Sequence, residues 1–78
     1  MKREKVEKAL IQRCKEYYQN YLYFHDCWIQ ESKDGDKKNA NYYMDKYIEI
    51  DIFLVEINRP IPRSTYTRWR NEYKKGEK

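Results

Sequence analysis

Seventy-eight residues, 40% apolar and 38% charged, with only two Gly and two Pro, make one domain at most and leave little room for a turn-rich β fold. Aromatic residues at 17%, nine of them Tyr, argue against a disordered chain, since such chains are poor in aromatics. The net charge of +4 is uneven: residues 1–58 carry ten Lys/Arg and eleven Asp/Glu, whereas residues 59–78 carry seven and two, so the positive excess sits at the C-terminal end and favours an anionic partner there.

No apolar run approaches the ~20 residues of a membrane span, so no membrane partner is expected. Residues 1–8 are charged and no h-region follows, which leaves the cytoplasm as the expected location. Residues 2–30 contain no Gly or Pro and read as one long helix. Leu10, Cys14, Tyr17, Tyr21, Phe24 and Trp28 recur at helical spacing, with Ile11, Tyr18, Leu22, His25 and Ile29 in an adjoining stripe. Two stripes on so long a helix exceed what two short helices cover. A homodimer contact through this helix and a helix that covers only its own core are expected about equally. Cys14 and Cys27 on one continuous helix stand ~20 Å apart along its axis, too far for a disulfide, so reduced thiols are expected.

Residues 31–40, ESKDGDKKNA, read as a loop with a turn at Asp34-Gly35-Asp36. They lack the ligand spacing and closing Glu of a calcium loop. Residues 41–57 read as a helix with Tyr43, Tyr47, Ile50, Leu54 and Ile57 on one face and Asn41 as its cap. The competing strand reading rests on the partial alternation from Tyr47 to Ile57, with Ile48, Ile50, Ile52 and Leu54 against Glu49, Asp51 and Glu56, but it lacks a second strand to satisfy its backbone. Asn58 suits a helix C-terminus. Arg59 and Ile61 precede prolines and are pushed toward extended geometry. Pro62 suits the first turn of a third helix that runs over 62–75. The expected architecture is all-α: a single small three-helix domain over residues 1–78, with helices at about 2–30, 41–57 and 62–75.

The third helix carries the functional signal. At ~100° per residue, Pro62, Tyr66, Trp69 and Tyr73 fall on one side. Arg63, Ser64, Thr67, Asn71 and Lys74, with Arg68 and Lys75, fall on nearly the opposite side. Arg70 borders the aromatic face, where it can stack on a ring or bind phosphate. Arg makes bidentate contacts to guanine, Asn to adenine, and Ser or Thr to bases or phosphates. Lys74, Lys75 and Arg59 suit backbone phosphates. The candidate nucleic-acid-binding residues are therefore Arg59, Arg63, Ser64, Thr67, Arg68, Asn71, Lys74 and Lys75, with duplex DNA as the expected partner.

Residues 54–75, LVEINRPIPRSTYTRWRNEYKK, resemble the helix-turn-helix segment of small phage or plasmid regulators and transposase-type DNA-binding domains. Ile61, Arg63, Ser64, Thr65, Tyr66, Arg68 and Trp69 match that pattern in order. The resemblance implies that Ile61, Tyr66 and Trp69 pack inward, that Arg63, Ser64, Thr67 and Arg68 face DNA, and that the role is transcription regulation or service to a mobile element. Pro60 stands where those turns carry glycine, and it cannot take a positive φ. Pro62 replaces the usual N-cap serine, so the turn takes another form.

His25, Asp26 and Cys27 are consecutive on a helix and do not converge. Without a phosphate loop, a CxxC pair or a nucleophile motif, the expectation is a non-enzymatic protein with no cofactor. The alternative to DNA binding is a small protein-interaction module, an inhibitor or adaptor, because Tyr and Trp anchor protein interfaces.

Overall fold

The computed structural model describes residues 2–76. Three helices account for nearly all of them: α1 (Lys2–Glu31), α2 (Asp34–Glu56) and α3 (Arg63–Gly76), with no strand among the described residues. α1 has 30 residues, which at ~1.5 Å per residue gives ~45 Å and sets the 44 Å long axis of the molecule. α2 folds back along α1, and α3 packs across α1, reaching α2 through side chains.

Both apolar stripes of α1 are used in packing within the chain. Tyr17 and Phe24 meet Tyr43 of α2, at ring separations of 6.1 and 5.6 Å. Tyr18 sits between α2 and α3, with Tyr47 at 5.0 Å, Tyr66 at 5.1 Å and Trp69 at 6.4 Å. Cys14, Leu54, Ile61 and Trp69 are buried together where the three elements meet. The breadth of α1's apolar face is thus largely used within the chain. The large apolar side chains left exposed on it are Val6, Tyr23 and Ile29, while α2 exposes Tyr42, Ile48, Ile52, Phe53 and Val55. The surplus apolar surface that pointed to a dimer through α1 is concentrated on α2.

The expected loop at 31–40 is mostly helix, and Asn41 lies inside α2 instead of capping it. Only Ser32 and Lys33 separate α1 from α2. Ser32 adopts φ 54°, and its N–H donates to the Trp28 carbonyl, closing α1 with a single left-handed cap. Lys33 is the N-cap of α2, and its carbonyl accepts from the amides of Asp36 and Lys37. Asp34 and Asp36 occupy the first turn, where carboxylates complement the helix dipole. Gly35 takes no positive φ, so the Asp-Gly-Asp sequence starts a helix rather than making a turn. Ala40, inside this added stretch, is buried.

α2 ends as the sequence indicates. Asn58 adopts φ 63°, a conformation Asn tolerates better than most side chains. Its N–H donates to the Val55 carbonyl, and that of Arg59 to the Leu54 carbonyl, the paired bonds of a Schellman cap. Pro60 follows at once and blocks continuation. Pro62 lies one residue outside α3, and its carbonyl accepts from the Thr65 amide.

The centre of the fold is polar as well as aromatic. Tyr66 donates its hydroxyl proton to Asp51 Oδ1 at 2.8 Å. The Cys14 thiol lies 3.4 Å from the Tyr66 hydroxyl and donates to the Tyr47 carbonyl at 3.6 Å. Burial, and then the contacts with Cys14 and Asp51, push the Tyr66 hydroxyl well above the ordinary tyrosine range. Burial likewise pushes Tyr47 up to about 12 and raises Tyr18 and the Cys14 thiol. These groups keep their protons in the folded chain at pH values where the unfolded chain loses them. The stability they contribute is complete below the unfolded values of 9.0 for Cys and 10.0 for Tyr and is lost as pH rises through the folded ones. Thermal melts followed by circular dichroism are expected to show a melting temperature that falls continuously above pH ~9. Tyr47→Phe is expected to make that fall shallower, and an unchanged midpoint up to pH ~11 contradicts this ionisation picture.

Candidate nucleic-acid interface

α3 is fastened to the body by one face. Trp69 is 3% exposed, with its ring edge-on to Tyr66 at 5.2 Å. The Trp69 carbonyl accepts from Gln19 Nε2 on α1 at 3.1 Å. Tyr73 donates to Asp26 Oδ2 at 3.3 Å. Glu72, the acid between the two faces, is held by Lys15 Nζ at 3.2 Å. The side of α3 that meets α1 therefore absorbs the helix's own carboxylate.

All eight candidate site residues are exposed. Helical geometry sorts α3's outward residues into two parallel stripes. Ser64, Arg68, Asn71 and Lys75, at i, i+4, i+7 and i+11, lie opposite the Trp69 face. Arg63, Thr67, Arg70 and Lys74 repeat the same spacing one position earlier and run along the flank. Among the described residues no carboxylate pairs with Arg63, Arg68, Arg70, Lys74 or Lys75. Five cations on adjoining stripes without counter-charges make a local positive field suited to a polyanion.

Two of the candidates are engaged elsewhere. Arg59 Nε lies 3.4 Å from Glu7 Oε1 of α1, so this cation braces the α2–α3 connection against the first helix. The Thr67 hydroxyl donates back to the Arg63 carbonyl at 3.3 Å, leaving its oxygen as an acceptor. The remaining six, Arg63, Ser64, Arg68, Asn71, Lys74 and Lys75, share α3. Ser64 stands in its first turn, where the positive end of the helix dipole favours an anion. Lys74 and Lys75 occupy the last turn, where cations are favoured by the helix dipole.

The bond from Tyr66 to Asp51 joins residues fifteen apart on different helices and forms only once α3 has docked on the α1–α2 pair. The same docking creates a feature that no local pattern announces, a half-open groove between α1 and α3 beside Arg70 and Lys74.

No protein family, curated protein or solved structure matches the chain. The fold and this face define a small all-α protein that presents a basic helix. No helix among the described residues is long and apolar enough to cross a membrane.

Proposed function

We propose that this chain is a small non-enzymatic DNA-binding protein, a regulator or accessory factor of the phage or plasmid type, which presents α3 to duplex DNA. The observation that carries this reading is the division of α3 into a face locked by Trp69, Tyr66 and Tyr73 and an outer face of unpaired cations and hydrogen-bonding side chains. A helix held along one side has its other side fixed in orientation, which is what reading base edges in a major groove demands. Arg68 and Asn71 are the base-reading pair. Ser64, Arg63, Lys74 and Lys75 contact the phosphates on either side. The reading rests on α3 itself rather than on the 57–62 connection, whose prolines give it a form unlike the helix-turn-helix turn.

A gel shift against random-sequence duplex over a salt series tests it. Three phosphate contacts, from Arg63, Lys74 and Lys75, are expected to weaken binding ~40-fold between 50 and 200 mM salt, because each neutralised phosphate adds ~0.9 to the logarithmic slope. No retarded species at the lowest salt ends the proposal.

A protein partner is the second reading, favoured by α2. Ile48, Ile52 and Val55, at 37, 54 and 52% exposed, form one outward stripe, rimmed by Asp45, Glu49 and Glu56. An apolar strip with an acidic rim fits a partner with an apolar centre and a basic rim. A stoichiometric protein complex that resists nuclease, is lost in Ile52→Asp and survives in Arg68→Ala is the result expected of this reading. The opposite pattern returns the weight to α3.

A further inference from the structure

The groove between the C-terminal half of α1 and the last turns of α3 encloses about 400 Å³, within the ~300–1,000 Å³ of small-ligand sites. Its aromatic wall includes Tyr18, Tyr21 and His25, all half-buried. Tyr21 lies 5.5 Å from His25, with the rings tilted by 41°. Its cationic wall is Arg70 and Lys74, one turn apart on α3, or ~6 Å along the axis. Both are exposed and without a described carboxylate partner. The charge of Arg70 acts on the Tyr18 hydroxyl, pulling against the burial that raises it, which places the guanidinium's influence at the Tyr18 end. Asp26 supplies the acid of the lining, and its carboxylate already accepts from Tyr73.

We propose that this groove binds one nucleoside phosphate unit, with the base against the Tyr21 and His25 rings and the phosphate on Arg70 and Lys74. Flat π surfaces next to a cation pair one helical turn long are the two elements that single-strand-binding grooves combine. Asp26 adds a preference. A carboxylate beside the base accepts a hydrogen bond from an exocyclic amine such as cytosine N4, and finds no amine donor on thymine. The unit is either a free mononucleotide or an unpaired residue of a strand whose phosphates continue along the Arg63–Thr67–Arg70–Lys74 stripe. This deepens the nucleic-acid reading of α3 and shares Lys74 with the duplex contacts, but it turns on Arg70, which the duplex reading does not use, rather than on Arg68 and Asn71, so the two ideas fail separately.

The test uses the full chain and three probes: dCMP, fluorescent ten-residue oligonucleotides of dC and of dT, and a fluorescent duplex. Titration with dCMP is followed by the backbone and His25 imidazole resonances, and the oligonucleotides by anisotropy at low salt. Shifts confined to residues around Tyr21, His25 and Arg70 on adding dCMP support the groove as a mononucleotide site. Binding of the dC strand several-fold tighter than the dT strand, without dCMP shifts, supports it as a site for an unpaired residue within a strand. Arg70→Gln, at an exposed position outside the core, is expected to weaken the ligand that binds about tenfold while changing duplex affinity less than twofold. Arg68→Ala is expected to do the reverse. Absence of dCMP shifts together with single-strand affinity unchanged by Arg70→Gln overturns the proposal, whatever the duplex does.

Discussion

Trp69→Ala is expected to abolish cooperative folding. The indole is the largest side chain in the buried cluster with Cys14, Leu54 and Ile61, and it touches the rings of both Tyr18 and Tyr66. Truncating a buried Trp to Ala costs ~3–5 kcal/mol. A single core in a chain of this size supplies about the same amount, ~3–5 kcal/mol, so the loss consumes the whole margin. The helix itself contributes little to its own persistence, because a segment of 14 residues is marginal in water unless its apolar face is packed. α3 should therefore undock, and Tyr66 should withdraw its hydrogen bond from Asp51. A thermal melt by circular dichroism should show a broad slope in place of a transition. Trp69→Phe, which keeps a ring on Tyr18 and Tyr66, should fold with a lowered midpoint. A Trp69→Ala protein that melts cooperatively within a few degrees of wild type shows that α3 is not anchored through this residue. Duplex binding should vanish in the same variant although Trp69 faces away from solvent, because the outer stripe then has no fixed direction.

What could be read beforehand follows from whether the signal is local. α1 was legible because residues 2–30 hold no Gly or Pro and an unbroken 3–4 repeat runs from Leu10 to Trp28, and its two stripes were real. Their targets were not legible, since nothing in Tyr17 or Tyr18 says which helix each will meet. Asn58 was legible because its left-handed cap needs only its own tolerance and the prolines behind it. The start of α2 was misread because Asp-Gly-Asp carries two meanings, a turn when glycine takes a positive φ and a dipole-matched first turn when it does not. The choice was made by burial of Ala40 and by Lys37 over the Trp28 ring at 5.4 Å, contacts that exist only once the hairpin has closed. The basic outer face of α3 was legible from wheel geometry. The roles of Arg59 and Glu72 were not, because their partners Glu7 and Lys15 lie more than fifty residues away in the chain.

The polar centre links folding to presentation. Tyr66 reaches α2 through Asp51 while its ring meets Tyr18 of α1 and Trp69 of α3. One side chain thereby couples all three helices. Removing its hydroxyl leaves Asp51 without that donor in a partly buried setting, and an unsatisfied group of this kind costs ~1–3 kcal/mol. A network of this sort fixes the rotation of α3 about its axis more narrowly than apolar packing alone, since a hydrogen bond is directional. That rotation decides which stripe faces outward.

Arg68→Ala combined with Asn71→Ala is expected to weaken duplex binding about thirtyfold, with the melting temperature within a few degrees of wild type. A bidentate side-chain contact to a base is worth ~1–3 kcal/mol, and every ~1.4 kcal/mol is tenfold in affinity. The figure sums two contacts at the low end of that range, and because the residues sit at i and i+3 their coupling shifts the combined loss from the simple sum. The fold should survive because both side chains are exposed and neither takes part in the Tyr66–Asp51 or Gln19–Trp69 bonds. Lys75→Ala, at a phosphate position, should weaken all duplexes alike and reduce the salt slope by about one. Arg59→Ala should leave affinity nearly unchanged, since its guanidinium is turned onto Glu7. The contrast among these variants carries the test, because a surface that attracted DNA by its net charge alone would lose affinity alike in every Arg or Lys variant. Only a helix that reads base edges makes the Arg68–Asn71 pair matter more than Lys75, and makes the size of that loss depend on the sequence of the duplex. Equal losses in all of these variants, on every duplex, reduce α3 to a nonspecific polyanion surface.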